Sequence, residues 1–149
     1  MIRIITVGKI SKPYREVFSH YEKMVSRFAR LEHVQISTGG DLRRNDPDEI
    51  KKREWKKISK YLKGSVVILD RIGKELDSKE FSKMIEGFRS KDSTFVIGGP
   101  LGLHDEAFKV ADVVVSLSKL KLSHEVAFCV LLEQIFRSFK ILSGESYDY

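Results

Sequence analysis

The sequence predicts an α/β fold with a parallel sheet, on three observations. Short β-rich runs alternate with segments of helical periodicity along the whole chain. One run, "VVILD" at 66–70, is apolar without interruption, as a strand covered on both faces requires. No internal repeat, low-complexity tract or linker breaks the alternation, so about five strands are expected in a single domain spanning residues 1–149.

Ile2, Ile4, Ile5 and Val7 form the first strand, which Gly8 ends. Ser11 and Pro13 then mark a helix start, because a proline in the first turn gives up no needed N–H. Val17, Phe18, Tyr21, Met24, Val25 and Phe28 recur at helical spacing and predict one inward face. Leu31 to Ile36 is a weaker second strand, followed by the polar loop "STGGDLRRNDPDE". Asp46-Pro47 opens a second helix with Ile50, Trp55, Ile58 and Leu62 on one side, and Trp55 and Tyr61 are assigned to the core. Lys51, Lys52, Arg53, Lys56, Lys57, Lys60 and Lys63 cover much of the rest of that helix.

After "VVILD", the segment "RIGKELDSKE" is expected to be a loop. Asp77 and Glu80 have capping-box spacing ahead of Phe81, Met84, Ile85 and Phe88. "STFVIGG" is the next strand, 103–111 a short helix and "VVVSLS" at 113–118 the last strand. A long helix from about Ser123 to Leu142 closes the chain and stops at Gly144. Its apolar residues occupy more than one stripe, so a second subunit is expected to cover it, making a homodimer.

Composition narrows the function. A net charge of +6 favours an anionic partner, nucleic acid first, although Lys- and Glu-rich surfaces also arise from thermal adaptation. The single cysteine, Cys129, allows no disulfide within the chain and no zinc cluster, and is expected to be buried and inert. His20, His33, His104 and His124 lack metal-ligand spacing, so no metal is expected. The opening "MIRIITVGKI" reads as a strand rather than a signal peptide, and no apolar stretch approaches the ~20 residues of a bilayer span. A cytoplasmic protein with no membrane partner is expected.

The glycine-rich "GGPLG" at 98–102 follows a strand, as phosphate cradles do. It lacks the G-x-G-x-x-G spacing and any following Lys-Ser/Thr, and Pro100 removes a backbone donor. It reads either as a tight turn or as a loop whose glycines admit a ligand closely. "LDRIGKE" (69–75) and "SKLKLSH" (118–124) also follow apolar strands, and in a parallel sheet all three loops fall beyond the strands' carboxyl ends, where ligands bind.

"LD-x-x-GK" at 69–74, "IGGPLGL" at 97–103 and "SLSKLKLSHEVAFCVLLEQIFR" at 116–137 resemble the small SPOUT methyltransferases. More narrowly, they resemble the bacterial large-subunit ribosomal RNA pseudouridine N3-methyltransferases, nearly end to end. The resemblance implies a C-terminal trefoil knot and a dimer packed through the knot helices. It further implies S-adenosyl-L-methionine bent among the three loops and 23S rRNA on the ribosome as substrate. Leu69, Gly98, Gly99 and the run Ser118, Lys119, Leu120, Lys121, Leu122 and Ser123 match the family's cofactor positions.

N3 of pseudouridine carries a proton that must leave, so a base and a cation are the groups to seek. Arg137 matches an arginine of the family's last helix, where it would stabilise the anion or hold a phosphate. In isolation it reads as well as a partner of Glu133. His124 is a candidate base, or a residue that positions the helix start. Tyr147 matches a tail tyrosine that would stack on or orient the base. The tail otherwise departs from the family: Asp148 replaces a histidine, Phe128 a common arginine and Ser123 a common proline. The basic helix at 51–63 is either an RNA-facing surface or a solvated face. Three other readings stay open. One is a non-enzymatic ribosome- or RNA-binding factor of the same fold, and another is a SPOUT methyltransferase with a different RNA target. The third is a generic nucleotide-binding module, which Pro100 argues against.

Overall fold

A computed structural model of the chain describes residues 1–145. Tyr147 and Asp148 lie outside the described residues. The elements run β1 (Ile2–Val7), α1 (Lys12–Val25), β2 (Leu31–Ile36), α2 (Pro47–Ser59), β3 (Ser65–Glu75), α3 (Ser78–Phe88), β4 (Ser93–Ile97), α4 (Asp105–Val110), β5 (Val113–Ser116) and α5 (His124–Leu142). The strands make one five-stranded sheet in the order β2-β1-β4-β3-β5. Every pairing is parallel, with Ile2 opposite both Leu31 and Ser93, and Ser65 also opposite Ser93.

Alternation along the strands sorts the core into two layers. Ile4, Val67, Phe95 and Val115 face α1, α3 and α5, whereas Ile5, Ile68 and Val96 face α2 and α4 through Trp55, Ile58 and Ala107. The central strands are buried on both faces because helices cover both, which accounts for their unbroken apolar runs.

The helix boundaries follow their caps. Asp46 accepts from the N–H groups of Asp48 and Glu49 at the start of α2, and Pro47 occupies the first turn. Asp77 and Glu80 form the complete reciprocal capping box on α3. Ser123 caps α5 by accepting from the Val126 N–H, a bond of a type that contributes about 1 kcal/mol.

Three expectations are corrected. The segment 71–75 is not loop but the continuation of β3. Leu69 and Lys74 both stand opposite Val115, so Asp70 to Gly73 bulge out of the ladder, which resumes at Lys74 and Glu75. Cys129 is half-buried rather than buried, although burial still pushes its thiol pKa up, which suits an inert side chain. Trp55 belongs to the core but Tyr61 does not, being 43% exposed.

The wide apolar surface of α5 is largely covered within the chain. Phe128, Leu131, Leu132, Ile135 and Phe139 are buried against α1, α3 and the sheet. Phe139 stacks on Phe28 at 5.2 Å and Phe128 on Phe18 at 5.8 Å. A narrower stripe, Val126, Cys129, Val130, Glu133 and Arg137, stays partly open. Among the described residues no helix is long and apolar enough to cross a membrane.

Candidate functional site

The bulge within β3 and the loops after β4 and β5 converge around a cavity of about 700 Å³. That volume lies in the range of small-molecule and cofactor sites. Leu69, the last β3 residue before the bulge, and Ile97, the end of β4, line it, and Leu117, Leu120, Leu122 and Ala127 add apolar wall. Ile72 and Leu120 stand on the lining with 79% and 73% of their surface exposed, unusual for side chains of that size.

Each wall has a local cause. After β4, Gly99 O accepts from Gly102 N–H at 2.9 Å, closing a turn with Pro100 and Leu101 at its centre. Gly102 adopts φ +79°, open to glycine at little cost. The sequence suggested that the missing side chains at Gly98 and Gly99 serve ligand approach, but the structure gives them a packing reason first. A Cβ on Gly98 would lie 2.9 Å from the Leu103 side chain, and one on Gly99 would lie 3.2 Å from Val7. In the bulge, the Asp70 carboxylate accepts from Ile72 N–H at 3.0 Å. Gly73 is packed on the β5 backbone, where a Cβ would stand 2.6 Å from Val114 C and Val115 N.

The loop after β5 is held by its own serines. Ser116 donates to Ser118 O at 3.0 Å, and the Ser118 hydroxyl accepts from Leu120 N–H at 2.9 Å. With Ser118 and Ser123 engaged in shaping the loop, apolar walls and backbone groups are left to meet a ligand.

Of the residues singled out in the sequence, Leu69, Gly98, Gly99, Ser118, Leu120, Lys121, Leu122, Ser123 and His124 all line this cavity. Lys119 does not; its ammonium lies 3.7 Å from Glu75. Sequence reasoning missed Leu117 and Ala127, whose only signal was their position just after β5 and near the start of α5.

His124 is fixed at the mouth. Its Nε2 lies 2.7 Å from Lys9 O, and because a carbonyl only accepts, Nε2 carries the proton. That bond ties the first turn of α5 to the β1–α1 loop. Glu125 reinforces the tie: its carboxylate accepts from the Ser11 N–H and hydroxyl, both at 2.7 Å. Those two bonds, the backbone one first, hold its pKa below the usual carboxylate range.

Arg137 is not brought to the cavity. It sits more than three turns further along α5, roughly 20 Å from His124 at ~1.5 Å per residue. Its guanidinium donates to Glu133 Oε1 from Nε at 3.0 Å and from Nη2 at 2.7 Å. Glu133 also accepts from Gln134, which accepts in turn from the Ser78 hydroxyl. Among the described residues no cluster of three or more His, Cys, Asp or Glu is placed to hold a metal ion.

On the far side of the Gly99 wall lies Glu54, a carboxylate only 3% exposed. Its Oε2 accepts from Gly39 N–H at 2.9 Å. Burial raises its pKa, and the Gly39 bond and the charge of Lys57 pull the other way.

A family model described as "Predicted SPOUT methyltransferase" matches residues 1–148. The chain is 42% identical to the ribosomal RNA large subunit methyltransferase H of Thermosipho melanesiensis, with 99% of each chain covered. It is 40% identical to the protein of the same name from Thermotoga sp. (strain RQ2), again over 99% of both. Among solved structures it is similar in fold to a "probable methylase family protein" from Haemophilus influenzae Rd KW20. That match has a TM-score of 0.58 at 11% identity and covers 96% of this chain and 68% of the other. A family match over residues 1–148 and a cavity built from the β3 bulge and two strand-end loops lead to one conclusion: the chain belongs to the SPOUT methyltransferase family, enzymes whose methyl donor is S-adenosylmethionine.

Proposed function

We propose that this protein methylates N3 of a pseudouridine in 23S ribosomal RNA. It would act on the ribosome in the cytoplasm as a homodimer of single-domain subunits, each with its C-terminal segment in a trefoil knot. The observation that carries the reading is the cavity among the 69–72, 97–103 and 117–124 loops, together with full-length similarity to proteins named ribosomal RNA large subunit methyltransferase H. Its size and its apolar walls of Leu69, Leu117, Leu120 and Leu122 fit S-adenosylmethionine. Pro100, at the centre of the β4 turn, leaves that loop poor in the N–H groups a phosphate would need.

Bound there, the cofactor supplies an electrophilic methyl carbon on a sulfonium. The chain's part is to orient the cofactor through the three loops and to exclude water with the exposed leucine and isoleucine at the rim. It must also receive the N3 proton and steady the charge that develops on the pyrimidine. Arg137 is assigned the charge-stabilising role and Tyr147 the orientation of the base. Arg137 lies too far from the cavity of its own chain to act there, and this favours a dimer in which one subunit's α5 serves the other's cavity. The open stripe of Val126, Cys129 and Val130 is the surface offered for that contact.

Calorimetric titration with S-adenosylmethionine tests the cavity. One site per subunit is expected, with Leu69→Arg abolishing the heat in a folded protein. No binding at millimolar cofactor would remove the reading. Arg137→Ala is expected to keep cofactor affinity within twofold and to lower methyl transfer by about 10²-fold, the scale of one electrostatic stabiliser.

A further inference from the structure

The seven cations between Lys51 and Lys63 do not share one role. Lys51 lies 3.8 Å from Asp48, Arg53 lies 3.7 Å from Glu49, and Lys63 lies 3.4 Å from Asp92. Arg53 also donates to Gly39 O and Asn45 Oδ1, and Lys57 donates to the Ser37 hydroxyl at 2.7 Å. Those contacts, with Glu54 on Gly39, clamp the β2–α2 loop onto α2.

Lys52, Lys56 and Lys60 remain. They recur every fourth residue, so they stand in one row about 12 Å long at ~1.5 Å rise per residue. All three are exposed, and none has an ion pair or side-chain hydrogen bond among the described residues. The one carboxylate between Lys51 and Lys63, Glu54, is turned inward and buried, and the acids of the first turn, Asp48 and Glu49, pair with Lys51 and Arg53 rather than with the row. The clamped loop adds Arg43 and Arg44, also exposed and with side chains unpaired among the described residues.

Like charges at this spacing repel and weaken a helix. Lys56 and Lys60 meet the favourable C-terminal end of the α2 dipole, but the repulsion along the row is neutralised only by anions outside the protein, such as a chain of phosphates. A membrane is a poor occupant, because the apolar face of α2, with Ile50, Trp55 and Ile58, is committed to the protein core. The row lies on the α2/α4 side of the sheet, opposite α5 and away from the cavity lining.

We propose that Lys52, Lys56 and Lys60, with Arg43 and Arg44 on the clamped loop, form a docking surface for the phosphate backbone of the RNA substrate, separate from the methyl-transfer cavity. The proposal rests on the RNA-methyltransferase reading.

The test compares the wild-type protein with Lys52→Gln/Lys56→Gln/Lys60→Gln and with a control, Lys12→Gln/Lys23→Gln on α1. Binding to a 23S rRNA fragment is measured against salt concentration, and methylation of ribosomal particles is measured at steady state. The triple variant is expected to flatten the salt slope by about 2 to 3, since each lost phosphate contact removes ~0.7–0.9. It should raise KM for ribosomal particles at least tenfold with kcat within twofold, and S-adenosylmethionine affinity should not move. An unchanged slope would overturn the proposal. So would an equal loss in the control, or a loss seen only on vesicles containing anionic lipid. A wild-type protein that binds RNA with this slope yet transfers no methyl group would instead remove the enzymatic reading and support the surface.

Discussion

Gly73→Ala is the perturbation whose effect can be worked most directly from the structure. Its Cβ would lie 2.6 Å from Val114 C and Val115 N and 2.7 Å from Val114 O. Carbon contacts relax at ~3.5–4.0 Å, so the bulge and β5 must separate by roughly 1 Å. The opposing atoms are backbone, and no rotamer can relieve the clash. The ladder resumes at Lys74 and Val115 immediately beyond, so the separation also strains its hydrogen bonds. Overpacking of about 1–3 kcal/mol and one or two weakened bonds of about 1 kcal/mol each give a loss of about 2–5 kcal/mol. For a domain of this size that lowers Tm by roughly 5–15 °C. The same movement parts the Asp70–Ile72 wall from the Leu117–Ser118 wall, so S-adenosylmethionine affinity should fall at least tenfold. Scanning calorimetry and isothermal titration of the variant measure both. Wild-type Tm together with wild-type affinity would refute the placement of Gly73 on the β5 backbone.

Gly87→Ala is the opposite case: it lies in α3 with nothing within 4 Å of the added Cβ, and chemical denaturation should show a gain of about 0.5–1 kcal/mol. His33 packs on Phe128 at 4.6 Å, with Nε2 2.7 Å from the Thr6 hydroxyl, and burial lowers its pKa to about 4. A base with a lowered folded pKa lends stability that is full above its unfolded value near 6.5 and is lost as pH falls toward 4. Urea titrations should show about 2–3 kcal/mol of loss from this residue across that window, and His33→Gln, which cannot titrate, should show a flatter profile. His124→Gln should cost about 1 kcal/mol of stability and less than tenfold in kcat, as expected of a positioning residue. A fall of 10² to 10⁴ in kcat, with a changed pH–rate profile, would make His124 the base instead.

The parallel sheet was legible because its central strands are apolar on both faces, and the helix starts because Asp46-Pro47, Asp77 with Glu80, and Ser123 are local capping signals. The continuation of β3 was not legible. Arg71 and Lys74 break its apolar pattern, and only the pairing with β5 shows that Gly73 has no room for a side chain. The breadth of apolar surface on α5 pointed correctly to burial on more than one side, but sequence alone could not distinguish α1 and α3 from a second subunit. Convergence of the three segments follows from topology and was readable, whereas nothing in the sequence showed that Lys119 lies outside the cavity lining, its ammonium 3.7 Å from Glu75. Glu54 gave no sign of burial among seven cations, because its partner, the Gly39 N–H, is a backbone group.

The central claim is transfer of a methyl group to N3 of a pseudouridine in 23S rRNA. The most direct measurement incubates the purified protein with S-adenosylmethionine and ribosomes lacking the modification, then maps the rRNA by mass spectrometry of nuclease fragments. The expected result is a gain of one methyl group at a single pseudouridine, its N3 position established against a synthetic nucleoside standard, and at least 10²-fold slower appearance with Arg137→Ala. An rRNA map unchanged by the wild-type protein, in a preparation that binds the cofactor, would contradict it.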